Sequence, residues 1–216
     1  MRPELVIFDC DGVLVDTEPA TALAVSRNLA RHGLDMSSEV SQALFTGGTM
    51  QGTMAEAIRR GADLPSDWLD EIYGEMFAVL RKGVRVLDGV HEVLDRLDGL
   101  KIPFCIVSNG PPKKMQVSLG PSGLWDRFEG RIWSPHVHGY PKPDPTLLLM
   151  AAEAFAVAPT NCVMIDDSPV GVIAAQKAGM RAIGFDEAGA FGRLDGLGAE
   201  IVEYLDELHG LLSLTE

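Results

Sequence analysis

Positive charge is scarce in this chain. Its 216 residues hold 18 Lys+Arg against 31 Asp+Glu, a formal net charge of −13. So acidic a surface lacks the broad cationic face that nucleic acids and anionic membranes require, which argues against both as partners. A small anion is not excluded, because a local cationic pocket overrides the global field. Cysteine is scarcer still. Cys10, Cys105 and Cys162 stand far apart, odd in number, with no CxxC or Cys/His zinc spacing. They read as small core residues in or beside strands and fit a reducing, cytoplasmic compartment. Long apolar runs are also missing. The first twelve residues hold only the short run Leu5 to Phe8, too short for a signal peptide. No stretch reaches the ~18 apolar residues of a membrane span. Repeats and low-complexity segments are absent, and 46% hydrophobic residues exclude disorder for most of the chain.

What is present alternates. Leu5-Val6-Ile7-Phe8, Phe104-Cys105-Ile106-Val107, Cys162-Val163-Met164-Ile165 and Arg181 to Phe185 read as strands buried on both faces, as in parallel sheets. Arg131-Ile132-Trp133 is a weaker candidate. Helical patterns lie between them: His91–Leu97, Pro145–Phe155, and Pro169–Ala178 with Ser168 as N-cap and Gly179 as stop. This alternation predicts an α/β fold with a doubly wound, Rossmann-like parallel sheet. From Asp16 to Lys82 the periodicity is helical, with candidates at Ala20–His32, Ser37–Phe45, Met50–Arg60 and Ser66–Leu80. Four helices after the first strand predict an inserted small α-helical domain at 16–83, with the core at 1–15 and 84–216. Thr46-Gly47-Gly48-Thr49 reads as a loop between two of those helices.

The residues with chemical potential gather at strand ends. Asp9 closes the first strand, and Asp11 lies two positions on, so an extended chain points both carboxylates to one side. Two carboxylates forced together repel, and a divalent cation removes the conflict. Capping a turn before Gly12 is the plainer reading of the pair. Ser108-Asn109-Gly110 follows the second core strand, where a hydroxyl and backbone N–H groups at a helix start suit an anion; a simple helix cap is the alternative. In Tyr140-Pro141-Lys142-Pro143-Asp144-Pro145, prolines fix the backbone around one lysine. Asp166-Asp167-Ser168 ends another strand, where helix capping is again the plainer role. Four such clusters, mostly at strand ends, do not read as four unrelated caps. Together they suit phosphoryl transfer. Asp9, Asp11, Asp166 and Asp167 make an all-oxygen set for Mg²⁺, with one oxygen of Asp9 free to attack phosphorus. Ser108 and Lys142 balance the spreading charge, and Asp11 serves as general acid and base.

Asp9-Cys10-Asp11-Gly12-Val13-Leu14-Val15-Asp16-Thr17-Glu18, the Ser108 strand end, the Lys142 segment and Asp166-Asp167 together resemble the four motifs of the haloacid dehalogenase-like superfamily, in order. The branch is similar to β-phosphoglucomutase and phosphoglycolate phosphatase. The resemblance implies Asp9 as nucleophile and Asp11 as acid/base and metal ligand through its main-chain carbonyl. It implies Ser108 and Lys142 on the phosphate, Asp167 as a metal ligand, and Asp166 as one directly or through water. The inserted helices resemble the family's cap, whose opening and closing admit substrate and then exclude water.

Within that family, a carboxylate at Asp11 argues against dehalogenation. The absence of lysine from Asp16 to Arg81 argues against a Schiff-base phosphonatase. The sugar-phosphate mutases carry a cap histidine and a cap arginine where this chain has Thr21 and Met50. Phosphatase is therefore the better reading, with a mutase second; a phospho-accepting receiver module is disfavoured because Asp9 ends the first strand. The expected substrate is a small phosphorylated metabolite, a sugar or polyol phosphate. Its contacts are expected from Glu18, Gly47, Thr49, Ser108, Asn109, Gly110 and Lys142, on a lining that Gln51 and Thr53 keep polar and uncharged. The expected assembly is a monomer or small homo-oligomer.

Overall fold

The computed structural model describes residues 2–45, 50–187 and 192–214. Strand β1 (Leu5–Phe8) is followed by β2 (Val15–Asp16) and four helices: α1 (Glu18–Arg31), α2 (Ser38–Phe45), α3 (Met50–Arg59) and α4 (Trp68–Leu80). The chain returns through β3 (Arg85–Val86) and α5 (Val90–Gly99) to β4 (Phe104–Val107). Then come α6 (Pro112–Leu119), α7 (Leu124–Phe128), β5 (Ile132–Trp133), α8 (Pro135–His138), α9 (Thr146–Ala154), β6 (Cys162–Asp166) and α10 (Pro169–Lys177). Strands β7 (Arg181–Phe185) and β8 (Glu200–Val202) and the short α11 (Leu208–Leu211) finish the described chain.

Six strands form one parallel sheet in the order β5-β4-β1-β6-β7-β8. β1 lies between β4 and β6, with Ile7 level with both Cys105 and Met164. Its four residues are all buried because helices cover both faces. Val6 and Phe8 pack on one side against α5, α6 and α7, through Val93, Leu94, Met115, Leu119 and Phe128. Leu5 and Ile7 pack on the other against α9 and α10, through Leu147, Leu148, Ala151 and Ala174. Strict alternation of side chains turns one apolar run into the wall of two cores. Burying side chains of this size stabilises the fold by roughly 1.5–3 kcal/mol each.

Helices α1, α3 and α4 pack around a separate apolar centre that includes Val25, Leu29, Ala57, Trp68, Ile72 and Met76, with α2 against α1. Trp68, the largest fully buried side chain, donates its indole N–H to Asn28 Oδ1 at 2.6 Å, and Asn28 Nδ2 donates to Glu71 Oε1 at 2.8 Å. His32 joins the same carboxylate at 3.2 Å and is part-buried, so it is a structural pin between α1 and α4 rather than a free surface group.

The sequence expectations fail at small elements. Asp16 lies in β2, antiparallel to β3 with Asp16 opposite Arg85, so the helical stretch begins only after a two-stranded stem. Two-residue strands carry no periodicity to detect. β8 was also not anticipated: it is an edge strand with only Val202 buried, so it lacks the continuous apolar run of the inner strands. The Thr46–Thr49 loop lies outside the described residues.

Candidate active site

The carboxyl edge of the sheet collects the polar clusters, as expected of ligand sites in open α/β folds. Asp9 follows β1, Ser108 follows β4 and Asp166 ends β6. Because these three strands are neighbours, residues far apart in sequence meet above the middle of the sheet. Asp9, Asp166 and Asp167 each place a carboxylate oxygen within 4.8 Å of the others. Two glycines make the approach possible. Gly12 has φ +80°, and a Cβ there would lie 2.5 Å from Asp167 Oδ2. A Cβ on Gly171, in the first turn of α10, would collide with the Asp166 carboxylate.

Each acid has a different setting. Asp166 is sealed from solvent: Lys142 Nζ donates to its Oδ2 at 2.6 Å, and the Ser168 N–H donates to its Oδ1 at 2.9 Å. Ser168 Oγ meanwhile accepts from the Gly171 N–H as the cap of α10. Asp9 is 8% exposed, with Oδ1 3.0 Å from Lys142 Nζ. That contact has the distance but not the direction of a hydrogen bond, so Oδ1 is left without a hydrogen-bond partner. Burial pushes Asp9 up to about 6 against the restraining charge of Lys142. Asp167 is pushed up to about 8, by burial first and then by repulsion from Asp9 and Asp166. An orphaned carboxylate oxygen beside two acids that resist ionising together is the setting a hard divalent cation fits. The donor set is all oxygen, as Mg²⁺ prefers.

Lys142 is the buried cation of the cluster. Burial opposes its charge, but Asp166 and Asp9 hold the ammonium above its usual range. Its loop is fixed by Asn109, whose side-chain amide accepts from the Lys142 N–H at 2.8 Å and donates to the Lys142 carbonyl at 3.1 Å. Asn109, expected on the substrate, lines the cavity, and its side chain braces Lys142. Ser108 is buried and its Oγ accepts from the Gly110 N–H at 3.2 Å. Asp11 stands apart from the three-acid cluster. Thr17 Oγ1 donates to its Oδ1 at 2.7 Å and Lys114 Nζ to its Oδ2 at 2.8 Å. The Asp11 side chain is thus engaged by Thr17 and Lys114 and is not part of the three-acid group. Glu18 accepts from Gln42 Nε2 at 3.1 Å at the cavity rim. Gly47 and Thr49 lie outside the described residues.

The cluster opens into a cavity of about 450 Å³ between the sheet edge and the inserted helices. Thr21, Gln42, Met50, Gln51 and Thr53 line it from the helical side; Ser108, Lys114, Lys142, Asp167 and Arg193 line it from the sheet side. Among the described residues, every cation on the wall belongs to the sheet side. Two were missed in the sequence. Arg193, 3.5 Å from Asp167 Oδ2, lies beyond all four motifs. Lys114 sits in the first turn of α6, adjacent to another lysine, and nothing in the pattern separates the buried one from the exposed one.

The haloacid dehalogenase-like hydrolase family matches residues 3–179 of this chain. A 6-phosphogluconate phosphatase of Escherichia coli is 30% identical over 186 residues, covering 85% of this chain and 83% of that protein. A phosphoglycolate phosphatase of Xanthomonas campestris is 29% identical over 84% of this chain and 82% of its own length. Among solved structures, a haloacid dehalogenase-like protein of Agrobacterium tumefaciens superposes with a TM-score of 0.81 at 32% identity, over 97% of both chains. The β-phosphoglucomutase-like protein of Thermotoga maritima (TM-score 0.84, 24% identity, all of both chains) shares the fold. The chain belongs to the haloacid dehalogenase-like hydrolase family. It is an enzyme of the phosphoric monoester hydrolase class that its curated relatives represent.

Proposed function

We propose that this enzyme is a Mg²⁺-dependent phosphatase of small sugar or polyol phosphates, working through an aspartyl-phosphate on Asp9. The observation that carries the reading is the setting of Asp9. It is a buried carboxylate at the centre of the sheet edge, with one oxygen free of hydrogen bonds, flanked by Lys142, Asp166 and Asp167. Asp9, Asp167 and the main chain of Asp11 would hold Mg²⁺, with Asp166 behind them. The cation, when bound, supplies charge neutralisation for the phosphoryl oxygens.

The chemistry of the chain's own residues runs in two steps. A carboxylate oxygen of Asp9 attacks phosphorus as the bond to the substrate oxygen breaks, and Asp11 gives that leaving oxygen a proton. Water then attacks the phosphorus of the acyl phosphate. Asp11 takes the water's proton, inorganic phosphate leaves and Asp9 is restored. Lys142 and the Ser108 hydroxyl balance charge on the phosphoryl oxygens throughout. In this reading 1–15 and 84–216 carry the chemistry, and 16–83 form a cap that covers the substrate and excludes water.

A mutase is the alternative. It must hold a second phosphate, yet among the described residues the helical side of the cavity offers no cation, and Thr21 and Met50 line the wall at positions where the resemblance implies histidine and arginine in the mutases. The lining of Glu18, Thr21, Gln42, Gln51 and Thr53 instead suits hydroxyl groups. Phosphate release from a panel of sugar, polyol and short-acid phosphates, with Mg²⁺, with chelator and with Asp9→Asn, tests the proposal. Release that needs metal and vanishes in Asp9→Asn supports it. Undiminished release by folded Asp9→Asn, or isomerisation without net release, sinks it.

A further inference from the structure

The cavity holds a cation that the phosphoryl chemistry does not use. Lys114 is largely buried, with its side chain 17% exposed, and reaches the cavity from the first turn of α6. The other cations on the same wall face the three-acid cluster. Lys142 pairs with Asp9 and Asp166, and Arg193 lies against Asp167. Lys114 is directed to Asp11, the group assigned to the leaving oxygen. An ammonium has three N–H donors, and among the described residues Lys114 uses one, on Asp11. Lys114 lines the cavity, so its remaining donors are within reach of a ligand there, and an anionic group would accept from them.

We infer that Lys114 binds a second anionic group on the leaving portion of the substrate, a carboxylate, so that the preferred substrates are phosphorylated sugar acids. The inference rests on the phosphatase reading above and deepens it. Position argues for the leaving portion: a group bonded to Asp11 is beside the oxygen that Asp11 protonates. Charge argues for a carboxylate. One ammonium, already paired with Asp11 and with Glu18 tied to Gln42 on the facing wall, matches at most a single further negative charge, whereas a second phosphate calls for more donors. The space between suits a polyhydroxy chain. Thr21 Oγ1 and Ser41 Oγ, on residues lining the cavity, are both buried without a hydrogen-bond partner. With a carboxylate bound, the ammonium bridges it to Asp11 and orders the leaving portion against its acid.

The test compares 6-phosphogluconate with sorbitol 6-phosphate, which share chain length and phosphate position and differ in the terminal carboxylate. The parent enzyme should favour the acid by about tenfold or more in kcat/KM, the scale of one charged contact. Lys114→Met disturbs Asp11 as well and lowers turnover of both substrates, so the readout is their ratio. The ratio should collapse in Lys114→Met, chiefly through KM, and recover in Lys114→Arg. An unchanged ratio in Lys114→Met, or a parent enzyme that prefers the neutral compound, overturns the inference; it would leave Lys114 as a positioning residue for Asp11. Binding of both compounds to Asp9→Asn, alone and combined with Lys114→Met, separates this from the parent reading. Selective loss of 6-phosphogluconate affinity supports the anion site even if no phosphate is released, an outcome that would fault only the phosphatase assignment. Equal affinities in both backgrounds count against Lys114 whatever the turnover.

Discussion

The acids of the site are tuned one by one, and their tuning has a sign that can be measured. Asp167 in the metal-free protein is pushed up to about 8 by burial and by Asp9 and Asp166. Folded chains then keep a proton that unfolded chains release near the ordinary carboxylate value. Metal-free stability therefore falls as pH rises from about 4 to about 8. In chelator, melting temperature should decline across that window, and Asp167→Asn should melt above the parent at its alkaline end. Mg²⁺ should raise the melting temperature of the parent, and the same variant should lose that rise. Gly12→Ala addresses the same carboxylate from the backbone. It combines a positive φ with a Cβ 2.5 Å from Asp167 Oδ2, so it should destabilise by about 1–3 kcal/mol and weaken Mg²⁺ activation. Thermal melts and a Mg²⁺ titration of activity check both effects. Asp9, Asp11, Ser108, Lys142, Asp166 and Asp167 were legible in the sequence because each follows or ends an apolar run, or is locked by prolines. Lys114 was not, because its meaning comes from a carboxylate 103 positions away.

At the scale of elements, the inserted helices are joined by a polar pin at the edge of an apolar bundle. Asn28, Arg31, His32, Glu71 and Glu75 join α1 to α4, with Trp68 bonded to Asn28. Burial pushes Glu71 up, but hydrogen bonds from His32 and Arg31 outweigh it and hold the carboxylate below its usual value. A depressed acid contributes stability above its unfolded pKa and loses it as pH falls through the folded value. The helical unit should therefore weaken on acidification below the ordinary glutamate range, and Glu71→Gln should flatten that dependence. Far-ultraviolet circular dichroism against pH decides this. Asn28→Ala leaves the indole N–H of Trp68 unpaired in an apolar setting and should cost about 1–3 kcal/mol, read by denaturant melts. All four inserted helices were legible from their 3.6-residue periodicity, with ends shifted by at most two residues. The β2–β3 stem was not, since pairing between Asp16 and Arg85 across 69 positions leaves no local trace.

Across the whole molecule the two regions divide the labour unevenly. The sheet supplies every described cation of the cavity and its three-acid cluster, while the described residues of the helices supply a wall without a cation and with one acid, Glu18. The architecture was legible because continuous apolar strands admit little but a sheet covered on both faces; β8 escaped because an edge strand needs no such run. The three cysteines add a consequence of their own. All are free, buried and confined to the sheet region, none within the inserted helices. Burial raises the pKa of each thiol, Cys162 to about 11, so the native protein should resist alkylation. The molecule thus contains its own stopwatch. A swing of the helices on their stem should leave all three thiols hidden, whereas melting of the sheet should uncover them, so the rate of labelling should time the second event and be blind to the first.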